Sequence, residues 1–311
     1  METLRIGTRG SALALWQANW VKSRLLELNP ELTVELVIIK TKGDKILDVP
    51  LAKVGGKGLF VKELEEAMLD GRADIAVHSM KDVPAEFPEG LTLGPILERA
   101  DPRDVFLSTT HDSIQALPQG AKVGSSSLRR QSQLLNQRPD LQVIPLRGNV
   151  NTRIGKLVAG EFDGIILAAA GVIRLEMTEH VKEYLDPTVM IPANGQGAVG
   201  IELRVNDPRV EKLIAPLDHP ETRIRVLAER SFLATLEGGC QVPIAGYATL
   251  ADGRLKLVGR VASLDGKRYV TLEREGQADD QAAVVLGKQL GEALLSGGGR
   301  EILAEIMPEI S

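Results

Sequence analysis

The stretch I-A-V-H-S-M-K-D-V-P, residues 75–84, shows the pattern on which the fold of this chain is built. Its first residues are apolar and predict a short buried strand ending at His78, and a polar turn with Asp82 follows directly. Residues 60–69 before it predict a helix, and residues 91–96 after it predict another strand. Strands that alternate with helices in this way indicate an α/β fold with a parallel or mixed sheet.

The same alternation continues towards both ends of the chain. Nearer the N-terminus, two strands flank a helix that Ser11 caps, and the apolar side of this helix is predicted to carry Leu13, Trp16, Trp20 and Leu25. Beyond residue 100 the pattern restarts and predicts a second lobe. The strands predicted in these regions are 4–7, 34–39, 105–107, 122–124, 141–145 and 164–168, and the helices of the second lobe are 127–138 and 149–159.

The character of the sequence changes after Pro220. A helix is predicted at 221–236 and ends at two glycines. Three strand-like runs follow, joined by Asp252-Gly253 and Asp265-Gly266, which are strong hairpin signals, and two helices close the chain. The sequence therefore predicts a small α+β C-terminal domain with a three-stranded antiparallel sheet.

Composition narrows the class of protein. With 311 residues the chain is long for one core, and its net charge of −5 argues against a nucleic-acid-binding protein. The one cysteine excludes an internal disulfide, and the four histidines are too far apart to indicate a metal site. No apolar run reaches the ~20 residues of a membrane helix, and no secretory signal is evident, so we expect a cytoplasmic protein.

Basic residues are concentrated in one segment of this acidic chain. Residues 122–156 contain seven lysines and arginines against one acid, Asp140. Such a run is often a solvated helix face. Arginine dominates here, however, and it is suited to bidentate binding of carboxylates or phosphates, so we favour a concave anion site.

Two residues are candidates for the chemistry, and the local sequence leaves both open. Cys240 follows two glycines in a loop, which suits either a presented thiol or a small buried side chain. Asp82 follows a strand, where a carboxyl group serves as a general acid and base or simply caps a turn.

Two loops suit an anionic ligand. The loop K-V-G-G-K-G, residues 53–58, lacks the P-loop spacing and is interpreted as a mobile lid carrying Lys53 and Lys57. Residues 125–127 are three serines before a helix, which provide either an anion site or ordinary N-capping.

Several motifs in order resemble the porphobilinogen deaminase family over essentially the whole chain. They are I-G-T-R-G-S (6–11), K-V-G-G-K-G-L-F (53–60), V-H-S-M-K-D-V-P (77–84), G-S-S-S-L-R-R (124–130), L-R-G-N-V (146–150), G-Q-G-A (195–198) and L-E-G-G-C-Q-V-P (236–243). The resemblance implies a transferase that condenses four porphobilinogen molecules head to tail, releases ammonia and yields linear hydroxymethylbilane for tetrapyrrole biosynthesis. It also implies a monomer without metal, nucleic-acid or membrane partners.

The resemblance further implies the site residues. A dipyrromethane cofactor would be held by a thioether to Cys240, and Asp82, with Lys81 beside it, would be the acid–base group and stabilise cations. The cofactor-binding residues would be Cys240, Lys81, Asp82, Ser127, Arg129, Arg130, Arg147 and Gly148. The substrate-binding residues would be Arg9, Ser11, Gln17, Arg147, Arg153 and Arg174.

The domain plan is implied by the same resemblance. Residues 1–98 with 198–217 would form domain 1, and residues 99–197 domain 2, as two lobes with mixed sheets that resemble periplasmic binding proteins. Residues 218–311 would form domain 3 and carry the cysteine loop.

Two other classes of protein explain part of the pattern. A non-catalytic carboxylate-binding protein accounts for the lobes and arginines, and a nucleic-acid-binding protein accounts for the basic segment alone. Neither explains Cys240 with its glycines, so loss of cofactor attachment in Cys240→Ser would separate the enzyme from both.

Overall fold

The computed structural model describes residues 3–45, 61–237 and 242–310. Its strands are β1 Thr3–Thr8, β2 Thr33–Ile38, β3 Ile75–Ser79, β4 Leu91–Ile96, β5 Asp104–Leu107, β6 Lys122–Gly124, β7 Gln142–Ile144, β8 Gly164–Ala168, β9 Val181–Tyr184, β10 Val199–Arg204, β11 Ile244–Ala251, β12 Arg254–Ala262 and β13 Tyr269–Gln277. Its α-helices of six residues or more are α1 Ala12–Leu28, α2 Lys62–Leu69, α3 Leu128–Gln137, α4 Val150–Val158, α5 Ala169–Arg174, α6 Pro208–Ile214, α7 Pro220–Thr235, α8 Asp280–Leu294 and α9 Arg300–Ile310.

The described chain separates into two compact units. The first comprises residues 3–45, 61–100 and 198–223, and the second comprises 101–197, 224–237 and 242–310. The three predicted domains and their boundaries stay a prediction.

The first unit is built on a five-stranded mixed sheet in the order β2-β1-β3-β10-β4. β1, β2 and β3 are parallel, whereas β10 runs antiparallel to both of its neighbours. Ala18, Val21 and Leu25 of α1 are fully buried against this sheet, in one core with residues of β1, β3 and β10. Because β1 and β3 are adjacent and parallel, the loops that follow them emerge at the same edge.

The second unit contains a five-stranded sheet with the same arrangement, in the order β7-β6-β8-β5-β9. β6, β7 and β8 are parallel, and β5 runs antiparallel to β8 and β9. The loops that follow β6 and β7 therefore also emerge together, and they carry Ser127 and Arg147.

The second unit also contains the three-stranded antiparallel sheet β11-β12-β13, which α8 and α9 cover. Asp252 and Gly253 both have positive φ (50° and 71°), as the predicted tight hairpin requires. Gly266, in the next turn, lies against α3: Asn136 Nδ2 donates to its carbonyl at 2.9 Å, and a Cβ at Gly266 would overlap the carbonyl oxygen of Ser132. This turn is one point at which the C-terminal sheet packs on the helix that bears Arg129.

The predicted fold class is confirmed: two mixed sheets with helices and a three-stranded antiparallel sheet are all present. The predicted apolar side of α1 was right for Leu25, which is buried, and for Trp20, which packs against the core, but wrong for Trp16, which is 36% exposed. The other buried residues of the helix are Gln17, Ala18 and Val21. Over the described ranges, every helix is too short or too polar to cross a membrane.

Candidate active site

The first part of the candidate site lies in the first unit, where the chain leaves β1 and β3. The loop after β1 leads into α1, and the turn after β3 contains Asp82. Both border a cleft of about 60 Å³. Four predicted site residues line this cleft, namely Arg9, Ser11, Gln17 and Asp82, and His78 lines it with them.

Ser11 and Gln17 reach the cleft from the start of α1. Ser11 Oγ accepts a hydrogen bond from the backbone N–H of Ala14 at 3.3 Å, which confirms the predicted N-cap. Gln17 is only 3% exposed, and its Nε2 makes no hydrogen bond to any described residue. An unsatisfied buried donor costs about 1–3 kcal/mol. Its position in a cleft wall suits an amide that binds an acceptor on a ligand.

Asp82 ends a one-turn 3₁₀-helix, Met80–Asp82, that directly follows β3. The turn is fixed at its base, because Met80 is 2% exposed and its N–H donates to the carbonyl of Ala198 at 3.0 Å. Lys81 is half-buried and Asp82 is exposed. The fold thus anchors the turn in the core and presents the Asp82 carboxylate at the cleft.

A second group of predicted residues lies in the second unit, on the loops after β6 and β7. Ser126 joins these loops: its Oγ donates to the carbonyl of Leu146 at 2.9 Å and accepts from the N–H of Leu146 at 3.0 Å. Ser127, at the N-cap position of α3, makes no side-chain capping bond. Among the described residues its hydroxyl has no hydrogen-bond partner, so it is available to a ligand.

Arg147, Gly148 and Arg153 cluster where the β7 loop enters α4. Arg153 Nε donates to the carbonyl of Gly148 at 2.8 Å, and Asn149 caps the helix by accepting from the N–H of Thr152. Gly148 has a φ of +109°, and a Cβ there would collide with Thr152, so glycine is required at this bend. Both arginines are half-buried, which leaves part of each side chain accessible.

Arg129 and Arg130, by contrast, are buried against Asp104 at the start of β5. Arg129 Nη2 lies 2.8 Å from Asp104 Oδ2, and Arg130 donates to Oδ1 from Nε and Nη2 at 3.1 and 2.8 Å. Burial alone raises the pKa of Asp104, but the two guanidinium groups outweigh it and lower this pKa to about 2. The structure therefore places both arginines in a buried ion-pair network, and their contact with cofactor carboxylates stays a prediction.

Arg174, the last residue of α5, is also buried. Its Nη2 donates to the carbonyl of Gly197 at 2.9 Å. Burial lowers the pKa of Arg174 to about 10, so the side chain still carries its charge at neutral pH. A buried cation of this kind suits an anionic ligand.

Three predicted site residues, Lys53, Lys57 and Cys240, lie outside the described residues. Within the described ranges, no three His, Cys, Asp or Glu side chains gather where they could hold a metal ion.

One buried pair, formed by His78 of the cleft wall and Glu202, was not predicted from the sequence. His78 Nε2 lies 2.8 Å from Glu202 Oε2, and the two side chains are 4% and 1% exposed. The residues are 124 positions apart and meet because β10 pairs with β3, with Gly200 opposite His78. Only the sheet topology would have revealed this contact.

Comparison of the sequence with models of known protein families identifies the family of this chain. Residues 4–212 match the porphobilinogen deaminase dipyrromethane cofactor binding domain, and residues 223–296 match the porphobilinogen deaminase C-terminal domain. The chain belongs to the porphobilinogen deaminase family. It is accordingly a transferase that polymerises porphobilinogen into hydroxymethylbilane in tetrapyrrole biosynthesis, with dipyrromethane as its cofactor.

The residues of the structure fit a dipyrromethane group. Each pyrrole carries two carboxylates, which require hydrogen-bond donors and cations. The Ser127 hydroxyl without a described partner and the half-buried Arg147 and Arg153 supply these on two joined loops. When bound, the group would supply the starting point to which substrate pyrroles are joined.

Several solved structures are similar in fold at low identity. The arginine-specific periplasmic binding protein STM4351 of Salmonella typhimurium has 11% identity and a TM-score of 0.42, with 70% of this chain and 92% of that chain covered. The periplasmic aliphatic sulphonate binding protein SsuA of Escherichia coli has 18% identity and a TM-score of 0.41, with 76% and 71% covered. The reduced OxyR regulatory domain of Pseudomonas aeruginosa has 12% identity and a TM-score of 0.41, with 69% and 96% covered. At these identities and TM-scores, the similarity to these structures supports no inference about the ligands of this chain.

Proposed function

We propose that this porphobilinogen deaminase uses Asp82 as its acid–base group and Cys240 as the attachment point of dipyrromethane. The observation that carries the role of Asp82 is its place in one cleft with Arg9, Ser11 and Gln17. A substrate whose carboxylates bind Arg9, Ser11 and Gln17 would therefore lie next to the Asp82 carboxylate. Lys81, the neighbour of Asp82 in this turn, is assigned to the catalytic residues with it on the family resemblance.

The chemistry of the substrate explains why a carboxylate is needed. Loss of ammonia from the aminomethyl group of porphobilinogen leaves a cation that is delocalised over the pyrrole and its N–H. An anionic Asp82 stabilises that positive charge and accepts the proton released when the new carbon–carbon bond forms. Because the turn is anchored by Met80, the carboxylate is held in place before the reaction begins.

The carboxylate-binding roles follow the family resemblance. The acetate and propionate groups of the substrate would be bound by Arg9, Ser11, Gln17, Arg147, Arg153 and Arg174. The cofactor would be bound by Ser127, Arg147 and Gly148. Arg129 and Arg130 would contribute to cofactor binding through their positive charge.

The remaining assignments rest on the family resemblance. Cys240 would form the thioether, and Lys53 and Lys57 would lie on a loop that covers the site. The three-domain plan is proposed on the same ground.

Replacing Gln17 by leucine is expected to raise KM for porphobilinogen by about 10- to 100-fold, because a hydrogen bond to a charged group contributes about 1.5–3 kcal/mol. The free energy of unfolding should stay the same or rise, since an unsatisfied buried donor is removed. Steady-state kinetics and denaturant unfolding measure the two effects.

Gln133→Leu is the matched control for this substitution. Gln133 is equally buried, at 2% exposed, but its Nε2 donates to the carbonyl of Ile191 and its Oε1 accepts from the N–H of the same residue. Leucine there should lower the stability. An unchanged KM in Gln17→Leu would contradict the assignment of Gln17 to substrate binding.

We also propose that the chain works in the cytoplasm as a monomer, without nucleic-acid or membrane partners. Its net charge of −5 and single cysteine support this. Light scattering should give a mass near 33.6 kDa, and a value of twice that would refute the monomer.

The reaction is tested by supplying porphobilinogen to the purified protein. Four molecules of ammonia should appear for each hydroxymethylbilane. Binding of porphobilinogen without release of ammonia would refute the proposed function.

A further inference from the structure

Glu229 is a fully buried carboxylate that the proposed reaction does not use. It lies on α7, in the part of that helix that belongs to the second unit, and its exposure is 0%. Its Oε2 accepts a hydrogen bond from the backbone N–H of Gly195 at 2.6 Å, and its Oε1 accepts one from the N–H of Ala248 on β11 at 2.8 Å. Its backbone carbonyl accepts a further bond from Asn194 Nδ2 at 2.6 Å. Glu229 therefore holds both β11 and the turn at 193–197.

The backbone of this turn is shaped by two glycines. Gly195 and Gly197 have φ values of +70° and +88°, in the region that favours glycine. The N–H of Gln196, between them, donates to the carbonyl of Ala193 at 2.9 Å. Because this bond closes the turn, the position of the Gly195 N–H sets that of the Gly197 carbonyl two residues further on.

The Gly197 carbonyl in turn contacts Arg174, one of the proposed substrate-binding residues. Arg174 Nη2 donates to this carbonyl at 2.9 Å, and the arginine is 8% exposed. A guanidinium group is planar, and it binds a carboxylate best when two of its N–H groups face the two oxygens. The acceptor at Nη2 therefore helps to fix the direction in which Arg174 meets a carboxylate.

The carboxylate of Glu229 is suited to holding the turn firmly. Its two oxygens accept from two different N–H groups, of Gly195 and of Ala248. Hydrogen bonds to an ionised acceptor are stronger than those between neutral groups. Glutamine has one accepting oxygen and would turn its own NH₂ group towards one of these donors.

The turn is also held from a second direction. Gln196 Nε2 donates to Asp104 Oδ1 at 2.9 Å and to the carbonyl of Pro102 at 2.7 Å. Weakening the bonds to Glu229 should therefore displace the turn without unfolding it.

We propose that Glu229 is a positioning residue for Arg174: it holds the turn at 193–197 so that the Gly197 carbonyl orients the guanidinium group for a substrate carboxylate. This inference rests on the proposed role of Arg174 in substrate binding. Glu229 itself touches no reacting atom, and it acts by preorganising the anion site. Its loss should therefore weaken the binding of porphobilinogen rather than slow the condensation.

Steady-state kinetics of the Glu229→Gln holoenzyme test this expectation. KM for porphobilinogen should rise about tenfold while kcat stays within about twofold of the wild type, the pattern of an interaction that is equally strong in the ground state and the transition state. A carboxylate with a merely structural role would lower the stability without moving KM.

Glu183→Gln is the matched control. Glu183 lies on β9 in the same unit, and its Oε2 accepts from the backbone N–H of Ile114 at 3.2 Å. The substitution makes the same chemical change at a carboxylate that holds a different loop, so KM should not change.

A double-mutant cycle shows whether Glu229 acts through Arg174. Arg174→Gln alone should raise KM by about 10- to 100-fold, because a hydrogen bond to a charged group is lost. Glu229→Gln should raise KM no further once Arg174 is replaced, since residues that act as one unit are not additive. If the two effects on KM multiplied in the double variant, Glu229 would act by another route and the proposal would be overturned.

Asn194→Ala covers the case in which Glu229→Gln fails to fold. It removes the hydrogen bond from the turn to the Glu229 carbonyl and leaves the buried carboxylate in place. KM should again rise, by about threefold or more, with kcat maintained. A wild-type KM in this variant would count against the proposal.

The outcomes separate this inference from the proposed function. If Arg174→Gln raises KM but Glu229→Gln does not, Glu229 is structural and only this inference fails. If Arg174→Gln keeps the wild-type KM while the wild type releases ammonia from porphobilinogen, the role of Arg174 and this inference fail together. If the wild type releases no ammonia, the proposed function itself fails.

Discussion

Asp82→Asn is expected to lower kcat for hydroxymethylbilane formation by about a hundred- to ten-thousand-fold, the contribution of a positioned general acid–base group. Asparagine keeps the size of the side chain but neither carries the negative charge nor accepts the proton. Because Asp82 is exposed, the free energy of unfolding should hardly change. Single-turnover release of ammonia, on protein shown by mass to carry its cofactor, measures the effect.

Asp112→Asn provides the matched control for this loss of charge. The Asp112 side chain is 95% exposed and lies 3.6 Å from Lys182 in the second unit. Its substitution should leave kcat unchanged. If Asp82→Asn kept kcat within a few-fold of the wild type, another group would have to be the acid–base residue.

Asp104→Asn is expected to lower the free energy of unfolding by about 3–5 kcal/mol, the usual result of breaking a buried ion pair by removing one partner. The guanidinium groups of Arg129 and Arg130 would remain buried without their counter-charge. Denaturant unfolding at neutral pH measures the loss.

Asp140→Asn is the control, because the pKa of Asp140 is also lowered to about 2, by a hydrogen bond from Arg138, but this pair is partly exposed, at 24% for Asp140 and 15% for Arg138. Water screens that pair, so its loss should cost much less.

The contribution of Asp104 to stability also depends on pH. The folded-state pKa of Asp104 lies below its unfolded value of 3.8, so this contribution to the free energy of unfolding is complete above that value and is lost as pH falls towards 2. The difference in stability between the wild type and Asp104→Asn should therefore shrink as pH falls from about 4 towards 2. Equal stability at neutral pH would show that the arginines do not depend on Asp104.

The central strands of the fold could be predicted because they are short, apolar and bounded by polar residues. β6 and β8 were predicted at their observed ends, Lys122–Gly124 and Gly164–Ala168. β9, Val181–Tyr184, was not predicted, since it is an edge strand whose residues alternate between half-buried and exposed and include Lys182 and Glu183. The short helix Ala169–Arg174 was missed because it continues an apolar run without a break.

Within the candidate site, the predictable residues are those that directly follow the end of a strand. Asp82, Ser127 and Arg147 lie there, and the parallel strands bring each loop to a predictable edge. The ion pairs of Asp104 with Arg129 and Arg130 could not be predicted, because these partners are 25 and 26 positions away. The contact of His78 with Glu202 spans 124 positions and arises only from the pairing of β3 with β10.

The intact mass of the purified protein, compared with that of Cys240→Ser, tests the central claim most directly. The wild type should exceed its sequence mass by two linked porphobilinogen-derived pyrrole units, and peptide mapping should locate them on Cys240. Cys240→Ser should show its bare sequence mass, even after porphobilinogen is supplied. A wild type that stays unmodified at Cys240 after the same treatment would contradict the account.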